Sequence, residues 1–337
     1  MKKILLVFTG GTIGSQAVDG AIDTDQAAGF KLLQLFKRQD SDPDSVSFKT
    51  LQPLQILSEN LHPHAWTKLI AAIEEEDLSR FDGVIVTHGT DTLAFTAAAL
   101  GLYFNFLQIP LLLVSSDLPL ENPLANGLPN FLCAVDFIRQ VRLRGVYAPY
   151  RNSGSDMRIY PATRLASSLQ LSSDFIGVQS KAFMLYEERR FRPLQAMAEI
   201  ERAPLMLKAD FSARIQLLRP YPGLDYSQIN LNNVDAVLHD LYHSGTACAS
   251  TANGEEYSLL GFIRRCRRQG LPIYLAPALK SENAYGSTRQ LMAEGAEMIW
   301  NMSLEAAYAK LLLAYGNFKN AREIAEFLER DLAGEHV

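Results

Sequence analysis

The sequence predicts an α/β protein of two domains, each with a mainly parallel sheet, and with a β-hairpin added to the N-terminal one. Three observations carry this. Short apolar runs alternate with longer stretches of helical periodicity, the pattern of strands covered by helices on both faces. The 337-residue length corresponds to two domains at roughly 150 residues each. A composition of 48% hydrophobic and 20% charged residues is that of an ordered globular chain.

The first run, Ile4-Leu-Leu-Val-Phe8, ends at glycines and is too short for a secretory h-region, so it reads as a buried strand. Further strands are expected at 83–86, 111–114, 145–150, 215–220, 236–241 and 273–276, several entered through a proline or glycine. Helical periodicity covers 64–80, where Trp66, Leu69, Ile70 and Ile73 share a face. It returns at 92–106, 126–141, 258–268, 287–294, 304–315 and 321–332. The exception to alternation is 145–164, where Tyr150-Arg-Asn-Ser-Gly-Ser-Asp-Met-Arg-Ile-Tyr160 reads as two strands joined by a turn. A charged stretch with Arg189, Arg190, Arg192 and Lys208, punctuated by Pro193 and Pro204, marks the boundary. The expected division is 1–190 for the N-terminal domain, 191–213 for a linker and 214–337 for a smaller C-terminal domain.

A net charge of −5 and pI of about 5.7 disfavour general nucleic-acid binding, since the whole would repel a phosphate backbone. Cys133, Cys248 and Cys266 are odd in number, far apart and without a CxxC pair, which argues against a disulfide framework or zinc site. No apolar run approaches the ~18 residues that span a bilayer, so the expected location is cytoplasmic, with no membrane partner.

Two polar turns each follow an expected buried strand: Thr9-Gly-Gly-Thr-Ile-Gly14 and Thr87-His-Gly-Thr-Asp-Thr92. In an open α/β sheet both lie at the carboxyl edge, where ligands bind. The first is neither a GxGxxG fingerprint nor a Walker A loop. It offers the hydroxyl of Thr12 beside glycines that let a substrate approach, and a threonine attacks only when a base takes its proton. The second offers Thr90 as a proton relay and Asp91 to orient the pair or grip an ammonium. Glycines there also serve positive φ, and Thr or Asp serves as an N-cap, in any α/β protein.

Together the two turns resemble the signatures of the bacterial-type L-asparaginase/glutaminase family, in its cytoplasmic type I form. Ser58, in Leu57-Ser-Glu-Asn-Leu61, falls where the family has a serine for the substrate α-carboxylate, with Glu59 beside it. Leu113-Val-Ser-Ser-Asp-Leu-Pro119, which contains Ser116, and Ala125-Asn-Gly-Leu-Pro-Asn130 resemble two further motifs. The resemblance implies a two-domain α/β fold, a homodimer or homotetramer, no cofactor, no metal, and hydrolysis of a side-chain amide to acid and ammonia. Carried over, Thr12 attacks, Thr90 or water passes the proton, and Asp91 binds the α-ammonium. Ser58, Glu59, Ser116, Gly11 and Gly89 line the substrate.

Two family residues are absent. The lid tyrosine slot falls near Ala21, and the lysine slot holds Arg164, or Ser167 in the other register. An arginine keeps the charge but cannot give up its proton. Glu59 and Asp117 introduce acids, and Glu59 would repel an α-carboxylate. Three readings follow: an asparaginase-like amidohydrolase, a slow or differently wired one included; a binding or altered-chemistry descendant; and an amidotransferase-type subunit. Lys181 is a candidate substitute for the lysine. The arginines at 264, 265, 267 and 268 read as a solvated helix end or a subunit contact, His88 as support for its turn, and Cys248 as a small buried thiol. His239 and His243, with Asp235 and Asp240, lack metal-ligand spacing.

Overall fold

The first apolar run forms β1 (Lys2–Phe8), in which Ile4, Leu5, Leu6 and Val7 are fully buried. The computed structural model describes residues 1–11, 13, 15–18, 21–24, 28–141, 143–194 and 203–337. After β1 come a small antiparallel pair, β2 (Ser15–Val18) and β3 (Ala21–Thr24), then α1 (Ala28–Gln39) and β4 (Val46–Leu51). The chain continues through α2 (His64–Glu74), β5 (Gly83–Thr87), α3 (Leu93–Tyr103), β6 (Pro110–Val114) and α4 (Gly127–Gln140). It then forms the expected hairpin, β7 (Gly145–Arg151) and β8 (Met157–Pro161), and a second one, β9 (Met184–Glu187) and β10 (Arg190–Pro193).

These strands, apart from β2 and β3, make one eight-stranded sheet in the order β10-β9-β8-β7-β6-β5-β1-β4. From β4 to β7 neighbouring strands are parallel, and beyond β7 they are antiparallel. Alternate strand residues face opposite layers. Ile4, Leu6, Ile85, Leu112 and Val114 pack with Leu32 and Phe36 of α1 and with Phe131 and Phe137 of α4. Leu5, Val7, Val84, Val86, Leu111 and Leu113 are equally buried and face the other layer, where α2 and α3 pack together.

One chain order in this sheet positions the site. From β1 the chain crosses to β4 on one side, returns past β1 to β5 on the other, and continues outward to β6. The direction of winding therefore reverses between β1 and β5, and in sheets of this kind the crevice that takes a ligand lies at such a switch point, beyond the strands' carboxyl ends.

Far from that crevice an ion-pair cluster ties the second hairpin to the helix layer. Arg139 bonds Asp40 and Asp136, each at 2.9 Å, and Arg189 bonds the same two carboxylates at 2.9 and 2.8 Å. Burial alone would raise the Asp40 carboxyl, but hydrogen bonds from Arg139, Arg189 and the Asp42 main chain, with the Arg139 charge, hold it down at about 2.

The chain divides into compact units Met1–Ala209 and Asp210–Val337. The stretch 191–213, read as a linker from its charges and prolines, gives its first residues to β10, and residues 195–202 of it lie outside the described ones. In the second unit β11 (Ile215–Leu218), β12 (Ala236–Asp240), β13 (Ile273–Ala278) and β14 (Glu297–Trp300) form a parallel sheet in sequence order. Its helices are α5 (Leu259–Arg268), α6 (Gly286–Ala293), α7 (Leu304–Asn317) and α8 (Ala321–Glu329). Lys310 of α7 is fully buried, bonded to Glu335 at 2.7 Å and to the Leu328 carbonyl at 3.1 Å. Among the described residues no helix is long and apolar enough to cross a membrane.

Candidate active site

Three segments meet at the switch point because β4, β1 and β5 lie side by side and end at the same edge. Past the end of β1, Ile56 donates from its N–H to the Thr9 carbonyl and accepts from the Gly11 N–H, both at 2.9 Å. A parallel bridge between Gly10 and Ile56 thus carries the β1–β4 pairing beyond the strands and delivers the 3-10 turn Ser58–Asn60 to the crevice. The Thr9 hydroxyl donates to the Thr87 carbonyl at 2.7 Å, which fixes the first turn against the second.

The backbones of the two turns then touch. Gly11 has φ +75°, and a Cβ built on it would lie 2.3 Å from the amide nitrogen of Gly89. A Cβ on Gly89 would lie 2.5 Å from the Ser58 hydroxyl oxygen and 3.2 Å from the Gly11 Cα. Both positions require glycine, one for its φ and both for space.

Ser58 and Asp91 form a reciprocal pair. The buried Ser58 hydroxyl donates to Asp91 Oδ2 at 2.7 Å and accepts from the Asp91 main-chain N–H at 3.2 Å. Thr92 Oγ1 donates to the Ser58 carbonyl at 2.9 Å, so the start of α3 is bonded to this turn twice over. Asp91 and Glu59 are exposed, and Thr90 is half-buried. Among the described residues no hydrogen bond engages the Thr90 hydroxyl, which leaves it able to pass a proton.

Beneath these residues lies a network. His88 Nδ1 sits 2.8 Å from the Gly89 carbonyl, an acceptor only, so this nitrogen carries the proton and donates. Burial lowers the His88 pKa and keeps the ring neutral, so Nε2 accepts from the Thr96 hydroxyl at 2.9 Å. The Thr96 oxygen accepts in turn from Trp66 Nε1 at 2.9 Å. His88 therefore aims the Gly89 carbonyl and supports its turn.

Of the residues expected at the site, Ser58, Gly11, Gly89 and Asp91 are in contact, and Thr90 and Glu59 adjoin them. Thr12 and Gly14 lie outside the described residues. Ser116 is buried on the loop after β6, its hydroxyl donating to the Leu118 carbonyl. On the same loop Asp117 and Asn126 exchange main-chain to side-chain bonds at 2.9 Å in both directions. Ala21 falls in β3, and Arg164 ends the 3-10 turn Ala162–Arg164 that follows β8. Lys181 is exposed and donates to Gln179 at 2.7 Å. Sequence reasoning missed Thr9, Thr92 and the Trp66–Thr96–His88 chain. Only the N-cap position of Thr92 carries a local signal.

In the second unit one side chain departs from its expected place. Cys248 is exposed rather than buried. It follows β12 on a surface loop and borders a cavity of about 350 Å³ with Tyr221, Tyr226, Tyr242 and Tyr257. Arg264 pairs with Glu255 and Glu294, and Arg265 and Arg267 bond main-chain carbonyls, so these bonds hold the helix end within its own unit. Among the described residues no cluster of acids, histidines and cysteines could hold a metal ion.

Fold and site together define a doubly wound α/β protein whose candidate site lies where the turns that follow β1 and β5 meet. Residues 3–181 match the family described as Asparaginase, N-terminal, more than half of the chain, and the protein belongs to the asparaginase family. It is similar to a glutamyl-tRNA(Gln) amidotransferase subunit of Saccharolobus solfataricus, 25% identical over 349 residues that cover 99% of this chain and 76% of that protein. The subunit of the same name from Methanococcus maripaludis is 26% identical over 346 residues, covering 99% and 81%. In fold it resembles the thermostable L-asparaginase of Thermococcus kodakarensis, with TM-score 0.81, 23% identity and 99% coverage of each chain. L-asparaginase I of Vibrio cholerae gives TM-score 0.79 and 22% identity, covering 100% of this chain and 99% of that one.

Proposed function

We propose that the protein is an L-asparaginase-like amidohydrolase that converts the side-chain amide of L-asparagine, or a related amide, to the acid and ammonia. The observation that carries this reading is the contact of the Gly11 turn with the Gly89–Thr90–Asp91 turn, with the Ser58–Asp91 pair beside it. Thr12 Oγ attacks the amide carbonyl carbon, and the developing oxyanion is met by main-chain N–H groups of the turns. The threonine proton passes through Thr90 or water to the amide nitrogen, the C–N bond breaks, and ammonia leaves behind an acyl-threonine ester. Water then adds to the ester, frees the acid and returns the proton to Thr12. Asp91 receives the substrate ammonium through a charge-assisted bond. With Arg164, or Ser167 in the other register, in the lysine slot, this chemistry is slow or differently wired. The reading carries with it a small-molecule substrate, a homodimer or homotetramer, and a cytoplasmic location.

Ammonia release from L-asparagine and L-glutamine tests it. Release that Thr12→Ala abolishes supports the reading, and a folded protein that releases none from either amide overturns it. The relatives' names favour a second reading, a subunit of an amidotransferase. Purification from native cells with a second polypeptide in fixed stoichiometry would support that reading, and recovery of this chain alone would count against it.

A further inference from the structure

We propose that the loop tip 169–172 of one copy of this chain seats in the tyrosine-lined cavity of a second copy and anchors the homo-oligomer; the inference rests on the oligomer of the reading above and not on its chemistry. The loop lies between β8 and β9, and its base is firmly held. An antiparallel bridge pairs Leu165 with Gly177, and the Leu169 N–H donates to the Asp174 carbonyl at 3.0 Å. Asn152 donates to the Phe175 carbonyl at 2.7 Å and accepts from the Phe175 N–H at 2.9 Å. At the tip the Ser172 N–H donates to the Leu169 carbonyl at 3.2 Å, which closes a four-residue turn in which Leu171 holds φ +58°. A turn with positive φ at its third position takes glycine or asparagine, because a larger side chain crowds its own backbone there. Leucine at that position is strained, and this one is also fully exposed, with exposed Leu169 beside it. Within a single copy neither feature stabilises the fold, whereas a partner that covers the tip gains both leucines.

The cavity of about 350 Å³ beyond the ends of β11 and β12 fits such a tip. Its walls are Tyr221, Tyr226, Tyr242 and Tyr257 with Leu224 and Cys248, and none of the described residues that line it is acidic or basic. Residues 167–173 carry no charge either, in a chain that is 20% charged. The two surfaces therefore match in charge, and no ion loses its water when they meet. A stable dimer buries about 1,200–2,000 Å², more than two leucines supply. On the cavity side the apolar surface continues, since Tyr221 and Tyr242 are exposed and so are Leu279 and Tyr285, which follow β13 at the same carboxyl edge of the second sheet. Every copy of the chain carries both halves of the contact, so a second copy is the partner it fits.

The cavity supplies its own probe. Of the three cysteines Cys248 is exposed, while Cys133 and Cys266 are buried, and a disulfide forms only where two Cα atoms come within about 7 Å. The full chain carrying Leu171→Cys, oxidised with copper(II)-phenanthroline, is expected to give a disulfide-linked dimer that reductant reverses. The wild type and the double variant Leu171→Cys, Cys248→Ser should give none. Sedimentation equilibrium supplies the second readout. Leu171→Asn suits the positive φ and removes the apolar tip, so it should weaken association at least about tenfold and leave the melting temperature of the dissociated chain unchanged or higher. Absence of a Cys248-dependent cross-link, or association unchanged by Leu171→Asn, overturns the inference and leaves the homo-oligomer standing. A wild type that sediments as a monomer overturns both, and ammonia release, assayed separately, decides the hydrolase reading.

Discussion

Gly11 and Gly89 pack backbone to backbone, with only 2.3 Å between a Cβ built on the first and the amide nitrogen of the second. The two turns of the candidate site are therefore one packed unit rather than two loops that happen to share an edge. A Gly11→Ala substitution must push them apart, and it also places a side chain at φ +75°. We expect a loss of stability of about 2 kcal/mol or more and a fall in ammonia release of at least about 100-fold. Activity should fall more than the melting temperature explains. Thermal melts and kcat/KM on the same preparation would check this, and an active, fully stable variant would contradict it.

Arg164 gives the second prediction. It closes the turn after β8 that packs against α3, where Gly101 leaves room for Thr163. A guanidinium there can stabilise charge but cannot accept and return a proton. Arg164→Lys is expected to raise kcat by about 10- to 100-fold and to add a limb that rises with pH as the amine deprotonates. Arg164→Met should do neither. A kcat profile against pH for the three proteins decides, and a neutral Arg164→Lys would remove Arg164 from the proton path.

How much of this was legible in the sequence follows from where the physical signal was local. Buried central strands such as β5 and β6 announce themselves as continuous apolar runs, and the β7–β8 hairpin as two strands around a glycine-containing turn. The edge strand β4 does not, because its residues are mostly half-buried or exposed. The β9–β10 hairpin is hidden by its turn. Glu188 and Arg189 hold positive φ of 47° and 60° where asparagine and glycine would have given the signal, and its charges read as a linker. At the site, the glycine turns and Asp91 stand out as motifs. The engagement of Ser58 with Asp91, and of His88 with Thr96 and Trp66, joins residues that only the sheet order brings together.

That hairpin yields the third prediction. Arg189 holds a strained turn in place by bonding Asp40 and Asp136, whose side chains are 0% and 1% exposed. Removing it leaves two buried carboxylates to share Arg139. Arg189→Ala is expected to cost about 2–4 kcal/mol, while Arg189→Lys recovers part of it. The Asp40 carboxyl is held at about 2 in the folded protein against 3.8 when unconstrained. Its contribution is therefore fully present above about pH 4 and is lost as pH falls through about 2. Acid titration of urea stability should show a shallower decline in Arg189→Ala, whose Asp40 lies nearer its ordinary value. An identical decline in both proteins would show that Arg189 does not hold Asp40 down.

His239 sets the opposite end of the acid range. It is wholly buried on β12, with Nε2 2.8 Å from the Tyr226 hydroxyl, and burial pushes its pKa down to about 4. In the unfolded chain the imidazole takes its proton near 6.5, so between those values the unfolded state binds more protons than the native one. Stability is then complete above about pH 6.5, declines as pH falls toward 4 by up to roughly 3 kcal/mol, and levels off below. Buried His88 and half-buried His336 act with the same sign, so the three must be separated by substitution. His239→Gln keeps a partner for Tyr226 and removes the titration. Trp66 and Trp300 are the two tryptophans of the chain, and only Trp300 belongs to the second unit. Urea unfolding followed through Trp300 in a Trp66→Phe, His336→Gln background, which leaves His239 as the histidine of the second unit with a lowered pKa, should therefore lose most of its pH dependence in this window when His239→Gln is added. An unchanged slope would mean that His239 is already protonated in the native protein, with Tyr226 accepting rather than donating.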